Sequence, residues 1–370
     1  MKISRSFLWP VVMIFSLMGC MIDISQPSSS TISSPTTTPV LKANNVTQSS
    51  NQTIPVTWSD LDLSGRLVYS TTSMNGNSSA PRIQVLDLAT GKIETIFTAT
   101  GNAWIYYLTV SPDATKLVMS YSPPSQPGSI SDTSLYILPM EEAAVPQRLF
   151  TLSTPSERYI QVEWSPDGRY LYFVHYNQDN QLSDQTFPEY RISRMAFPGG
   201  RPEGLLDHAF WPRMSADSSK IVYVSLDPGS GKNQLLLANP DGNNPQEIVL
   251  SNFSQILDAP IFSPDGVSIL FSAPSPIQAY QPSWMDRLLG VQIAKAHNVP
   301  SDWWSVPISG GTVTRLTQIQ TIKLYASISP DKKHIASQSG EGIFVMDVDG
   351  SNVRQLVFDP GISSVINWIP

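Results

Sequence analysis

Cysteine is nearly missing from this chain: one in 370 residues, at Cys20. A single thiol excludes a disulfide framework and any zinc site built from several cysteines. Histidine is scarce too, and His175, His208, His297 and His334 are far apart in sequence, so a histidine-rich metal site is not expected. Charge is thin: only 14% of residues are Asp, Glu, Lys or Arg, against about 25% in ordinary domains. What charge there is runs acidic, with 23 basic against 30 acidic residues and a net of −7. Nucleic-acid binding needs a basic footprint and is excluded as a general property. Global disorder is excluded as well, because 9% aromatics and many strand-like apolar runs can bury a core.

The N-terminus reads as an address. Lys2 and Arg5 precede an apolar stretch from Phe7 to Met18, and Gly19 precedes Cys20. Twelve apolar residues are too short for a spanning helix and suit the h-region of a signal peptide. Leu17-Met18-Gly19-Cys20 resembles a bacterial lipobox, whose cysteine becomes the acylated first residue. Residues 1–19 are therefore read as a lipoprotein signal peptide and Cys20 as the lipidation site, carrying the palmitate-type chains that anchor the protein to a membrane. Residues 20–56 follow as a tether rich in Ser, Thr, Pro, Asn and Gln. Such a composition buries too little apolar surface to offset chain entropy. The expected location is the extracytoplasmic face of the cell envelope.

Residues 57–370 are built from repeats. The segments Ser111-Pro-Asp-Ala, Ser165-Pro-Asp-Gly, Ser215-Ala-Asp-Ser, Ser263-Pro-Asp-Gly and Ser329-Pro-Asp-Lys each lead into a β-branched and aromatic run. A worn copy begins at Asp62, and start-to-start spacings are 49, 54, 50, 48 and 66. Each unit holds a turn, a strand, a second strand, another turn and a short strand ending in Leu or Ile. With the strand that leads into the turn, that makes four strands per unit, six times over. Radial repetition of such units predicts an all-β, six-bladed propeller of four-stranded antiparallel blades. The final stretch Val365-Ile-Asn-Trp-Ile-Pro370 matches Val162-Glu-Trp-Ser-Pro, and the first unit lacks a good leading strand. The C-terminal strand is therefore predicted to become the innermost strand of blade 1 and close the ring. Val56-Thr-Trp58-Ser competes for that place, but Trp58 lies three residues too far from its turn.

These motifs resemble the blades of TolB-like six-bladed propellers, and the same blade occurs in the propeller domains of prolyl-oligopeptidase-type peptidases. The resemblance implies a fold and, more weakly, peptide capture at the channel mouth. TolB-like proteins are usually soluble and carry an additional N-terminal α/β domain, where this chain has a tether.

No catalytic constellation emerges. There is no Gly-x-Ser-x-Gly elbow, and Gly229-Ser-Gly-Lys232 departs from a phosphate loop at both ends. The aspartates of the repeated turns (Asp113, Asp167, Asp217, Asp265, Asp331) sit one per blade, which favours turn capping over convergence. No enzyme, metal or cofactor is expected. The residues just before the turn serines (Val110, Trp164, Met214, Phe262, Ile328, Trp368) are apolar and should pack between blades. One step back, Thr109, Glu163, Arg213, Ile261, Ser327 and Asn367 should face the central channel by strand alternation, and five of the six are polar. That pattern suggests a water-filled tunnel in which Glu163 and Arg213, on neighbouring blades, either pair or contact a ligand. Trp211 and Tyr325 are candidate stacking partners.

Blade 5 carries an insertion, about residues 274–302, that reads as a helix with Trp284, Met285, Leu288 and Leu289 on an apolar face. It either packs on the propeller or docks a partner. The function expected from the sequence is a monomeric, non-enzymatic envelope lipoprotein whose propeller binds a protein or peptide. The alternative is a small-molecule or glycan sensor that uses the channel.

Overall fold

The computed structural model describes residues 58–75, 78–125, 132–141, 143–177, 190–227, 232–253, 256–275, 299–359, 361 and 365–370. The signal peptide, Cys20, the tether and the apolar face of the blade 5 insertion (Trp284, Met285, Leu288, Leu289) lie outside the described residues.

Six four-stranded antiparallel sheets follow one another around a ring. Their innermost strands are Asn367–Ile369, Trp104–Val110, Glu157–Trp164, Ala209–Met214, Asp258–Phe262 and Tyr325–Ile328, for blades 1 to 6. Blade 1 borrows its inner strand from the chain terminus, as the sequence predicts: Arg66, Leu67 and Val68 pair with Ile369, Trp368 and Asn367. Trp368 is 7% exposed and donates its indole N–H to the Ser64 carbonyl at 2.9 Å. A second contact holds the approach, where the Thr72 amide donates to the Gly361 carbonyl at 2.7 Å.

Trp58, the rival for that position, lies instead in a short 3-10 turn (Trp58–Asp60) with its ring against Gly91 of blade 1. A Cβ at Gly91 would stand 2.1 Å from the indole nitrogen. Close approaches to glycines of the following blade recur downstream, where the Val249 backbone abuts Gly310 and Leu316 abuts Gly350.

The repeated turns explain themselves chemically. In five blades the turn serine donates to the aspartate two residues on, at 2.5–2.7 Å. The carboxylate then accepts the backbone N–H two residues further, at 3.0–3.2 Å. The aspartates thus cap turns on separate blades, and this converts one sequence motif into five similar hairpin reversals on one face of the ring. Apolar residues beside the turns pack between blades: Val110, Trp164, Met214, Phe262 and Trp368 are buried, and Ile328 is half-buried.

Candidate functional site at the channel axis

The inner strands all run toward the serine–aspartate turns, so the connections between each blade's second and third strands emerge on the opposite face. Those connections are 76–77, 123–133, 178–190, 227–232, 275–300 and 340–341. The serine–aspartate turns mark one face, and these connections, which range from 2 to 26 residues, mark the other. We call the latter the loop face.

Below it, the inner strands present two layers to the axis. The layer nearer the turns contains Asn367, Thr109, Glu163, Arg213, Ile261 and Ser327, one per blade. Its polar members are stitched to neighbouring blades. Asn367 accepts the Val110 N–H and donates to the Leu108 carbonyl, both at 3.1 Å. Thr109 accepts the Trp164 N–H at 3.2 Å, and Ser327 accepts the Trp368 N–H at 3.0 Å. Arg213 donates to Glu163 across blades 3 and 4, with side chains 15% and 18% exposed. Burial pushes the Glu163 carboxyl up, and the Arg213 guanidinium opposes that shift. Of the two roles the sequence allows this pair, the geometry shows mutual pairing. Ile261 interrupts the belt at blade 5 with an apolar side chain.

The second layer lies four residues before each turn serine: Val365, Tyr107, Gln161, Trp211, Ala259 and Tyr325 for blades 1 to 6. Large rings come from blades 2, 4 and 6, and smaller side chains from the blades between. The rings meet. Tyr107 stands edge-on to Trp211 at 5.5 Å between centroids and to Tyr325 at 6.4 Å, and Trp211 lies 5.2 Å from Tyr325. Blades 2, 4 and 6 are evenly spaced about the ring, so mutual contact places these rings on the axis. At this level the tunnel is filled by aromatic side chains, which departs from the expectation of a water-filled bore. Trp211 and Tyr325, the candidate stacking partners, stand at the axis against each other and against Tyr107.

Backbone irregularity puts the layer in place. The inner strands of blades 2 to 5 each shift register beside it, between Ile105 and Tyr107, Ile160 and Glu163, Phe210 and Arg213, and Asp258 and Ile261. Gln161, Trp211 and Ala259 have φ of 53°, 59° and 45°. Left-handed backbone at a bulky residue costs about 1–3 kcal/mol and persists only when its surroundings hold it. Here the Trp211 N–H donates to Gln161 Oε1 at 2.7 Å, and the Ala259 N–H donates to Asp258 Oδ1 at 3.1 Å. Tyr107 is hydrogen-bonded through its hydroxyl to Gln161 and Tyr325, and burial drives both tyrosine hydroxyls well above their usual range. Period-two alternation carried one step further back would have found Tyr107; the bulges leave no mark in the sequence.

Toward the loop face, Trp104 and Tyr106 stand 38% and 37% exposed with ring centroids 6.1 Å apart. Outside them, a cleft of about 340 Å³ between blades 2 and 3 is lined by Pro123, Pro124, Asp132, Arg148, Leu152 and Thr154 among others. Among the described residues no group of three or more His, Cys, Asp or Glu side chains comes together.

Solved structures share this architecture. TolB from Acinetobacter baumannii superposes with a TM-score of 0.56 at 16% identity, over 83% of this chain and 67% of that one. The fold is that of TolB propellers. A protein assigned as TolB from Agrobacterium tumefaciens gives 0.55 at 17% identity, covering 80% of this chain and all (100%) of its own. A nidogen/laminin complex gives 0.56 at 11% identity, over 82% of this chain and 98% of that one. At such identities the likeness establishes the fold alone. No family profile matches the chain.

Proposed function

We propose that this chain is a non-enzymatic envelope lipoprotein whose propeller captures a polypeptide on its loop face. The observation that carries the reading is the division of labour between the two faces. The turn face is locked by repeated Ser–Asp capping, whereas the loop face carries the longest connections and the exposed pair Trp104 and Tyr106. Loops positioned by a rigid scaffold are the usual carriers of recognition, and exposed aromatics the usual anchors. The TolB likeness supports a binding scaffold, and it supports an envelope location together with the lipobox-like segment ending at Cys20. The polar channel belt supports a non-catalytic reading, because its side chains are spent on neighbouring blades.

Site-specific photocross-linking tests this. A photoreactive residue in place of Tyr106 in the full-length chain should join to one envelope polypeptide, and one in place of Arg169 on the turn face should not. Trp104→Ala should cut the yield at Tyr106 by about tenfold, the effect of losing one buried anchor. Equal labelling from both faces, or none from the loop face, would sink the proposal.

A further inference from the structure

A histidine in blade 3 holds a buried ring nitrogen without a partner. His175 lies in the second strand of that blade, Tyr170–Asn177, between Tyr159 of the inner strand and Arg191 of the third. Its ring stacks on Tyr159, with centroids 4.7 Å apart and planes within 11° of parallel. Its Nε2 is closed off from solvent and makes no hydrogen bond among the described residues. A polar atom buried in that state costs free energy, which a proton and an acceptor would recover. An acceptor stands nearby: Glu157 Oε1 is 3.7 Å from that nitrogen, in ion-pair range but beyond hydrogen-bond reach.

Glu157 already has a task. Its Oε2 accepts the Ser153 N–H at 2.7 Å and, near the limit of hydrogen bonding, the Thr154 N–H at 3.4 Å and the Tyr159 hydroxyl at 3.5 Å. Ser153 and Thr154 lie on the connection from blade 2 into blade 3 and line the loop-face cleft of about 340 Å³. One carboxylate thus holds the cleft wall through one oxygen and faces the unpaired nitrogen through the other. The other charged and titratable groups that face His175 are Arg191 and Tyr159. Arg191 is paired with Asp207. Burial first, and then the Glu157 charge, drives the Tyr159 hydroxyl well above its usual range. Burial also holds the His175 imidazole below its ordinary value; Glu157 opposes that shift and Arg191 adds to it. The ring is therefore neutral at pH 7 and takes up its proton in mild acid.

We infer that His175 and Glu157 form a proton-driven latch on the wall of the loop-face cleft. With His175 neutral, Glu157 holds Ser153 and Thr154 in place. A proton taken from solvent at Nε2 makes the ring a charged donor, and the gap to Glu157 closes by about 1 Å to reach a charge-assisted bond. The stack on Tyr159 and the ladders on both sides fix His175, so the carboxylate moves, and its long contact to Thr154 breaks first. Acid thus loosens the cleft wall and neutral pH fastens it. The latch acts on a different element from Trp104 and Tyr106 and does not rest on capture there.

Hydrogen exchange of the full-length chain, read by mass spectrometry from about pH 7.5 to about pH 4.5 and corrected for the intrinsic pH dependence of exchange, tests the latch. Protection of residues 151–156 should fall about tenfold on acidification, the effect of losing one hydrogen bond to a charged group. The capped turn of the same blade, residues 165–170, should keep its protection and so separates local release from general acid unfolding. His175→Phe, which preserves a ring against Tyr159, should leave residues 151–156 equally protected across the range. Should His175→Phe fail to fold, Glu157→Gln makes the same test, because a carboxamide neither titrates nor attracts an imidazolium. Protection that holds or rises in the unaltered chain would overturn the latch. So would a fall that persists in His175→Phe, which would assign the release to another titrating group.

Discussion

Glu163 and Arg213 show how a residue that looks functional in a sequence can be structural in the fold. Each is largely removed from water, and each is the other's partner across the seam of blades 3 and 4. Desolvation makes such a pair costly to break from one side only. Arg213→Met should therefore destabilise the domain by about 3 kcal/mol in urea unfolding at pH 7, and Glu163→Gln/Arg213→Met should recover most of it. The pH dependence has a definite sign. The folded-state Glu163 carboxyl is raised, chiefly by burial, so its contribution is most favourable below the ordinary carboxylate value and declines as pH rises through the raised one. Without Arg213 that decline must steepen, and the penalty of Arg213→Met should shrink between pH 7 and pH 4. A penalty constant with pH would refute this account. The possibility of a pair was legible from neighbouring repeats; its realisation required the seam.

At the level of elements, the closing strand is the most consequential. Only three residues, Asn367–Ile369, join the ladder of blade 1, but Trp368 is anchored to Ser64 and packs in the core shared by blades 1 and 6. Asn367 also reaches blade 2. Deleting residues 365–370 would bare the inner edge of blade 1 and strip its contacts with blades 2 and 6. Trp368→Ala, which keeps the backbone pairing, should cost about 3–5 kcal/mol, and the deletion should abolish the cooperative melt. Unchanged melting of either form would remove the closing role. The sequence revealed this strand because it matches the inner strands of other repeats. It misled about the axial level, where the polar pattern predicts an open bore but rings from blades 2, 4 and 6 meet on the axis.

Across the whole molecule, five capped turns act together on one face. Serine hydroxyls first of all, and then backbone amides, hold Asp113 and Asp217 down to about 2 and keep Asp167, Asp265 and Asp331 below the usual carboxylate range. A depressed folded-state value stabilises above the unfolded carboxylate value and is lost as pH falls through the folded one. Urea midpoints should hold from pH 7 to about 4 and then fall progressively toward pH 2. Loss setting in above pH 5 would refute a dominant role for these turns. The same uniformity frees the opposite face, where a rigid ring can present loops of any length without altering its blades.

Repetition is why so much could be read directly. A turn motif recurring about every fifty residues, each time followed by strand-forming runs, determines blade number, strand order and the closing strand, because each blade is held by contacts local in sequence. The axis is different. It is the one place where residues from all six blades meet, separated by fifty to three hundred positions in the chain. Which of them touch depends on bulges and on the curvature of the ring. Tertiary structure alone brought Tyr107, Trp211 and Tyr325 together.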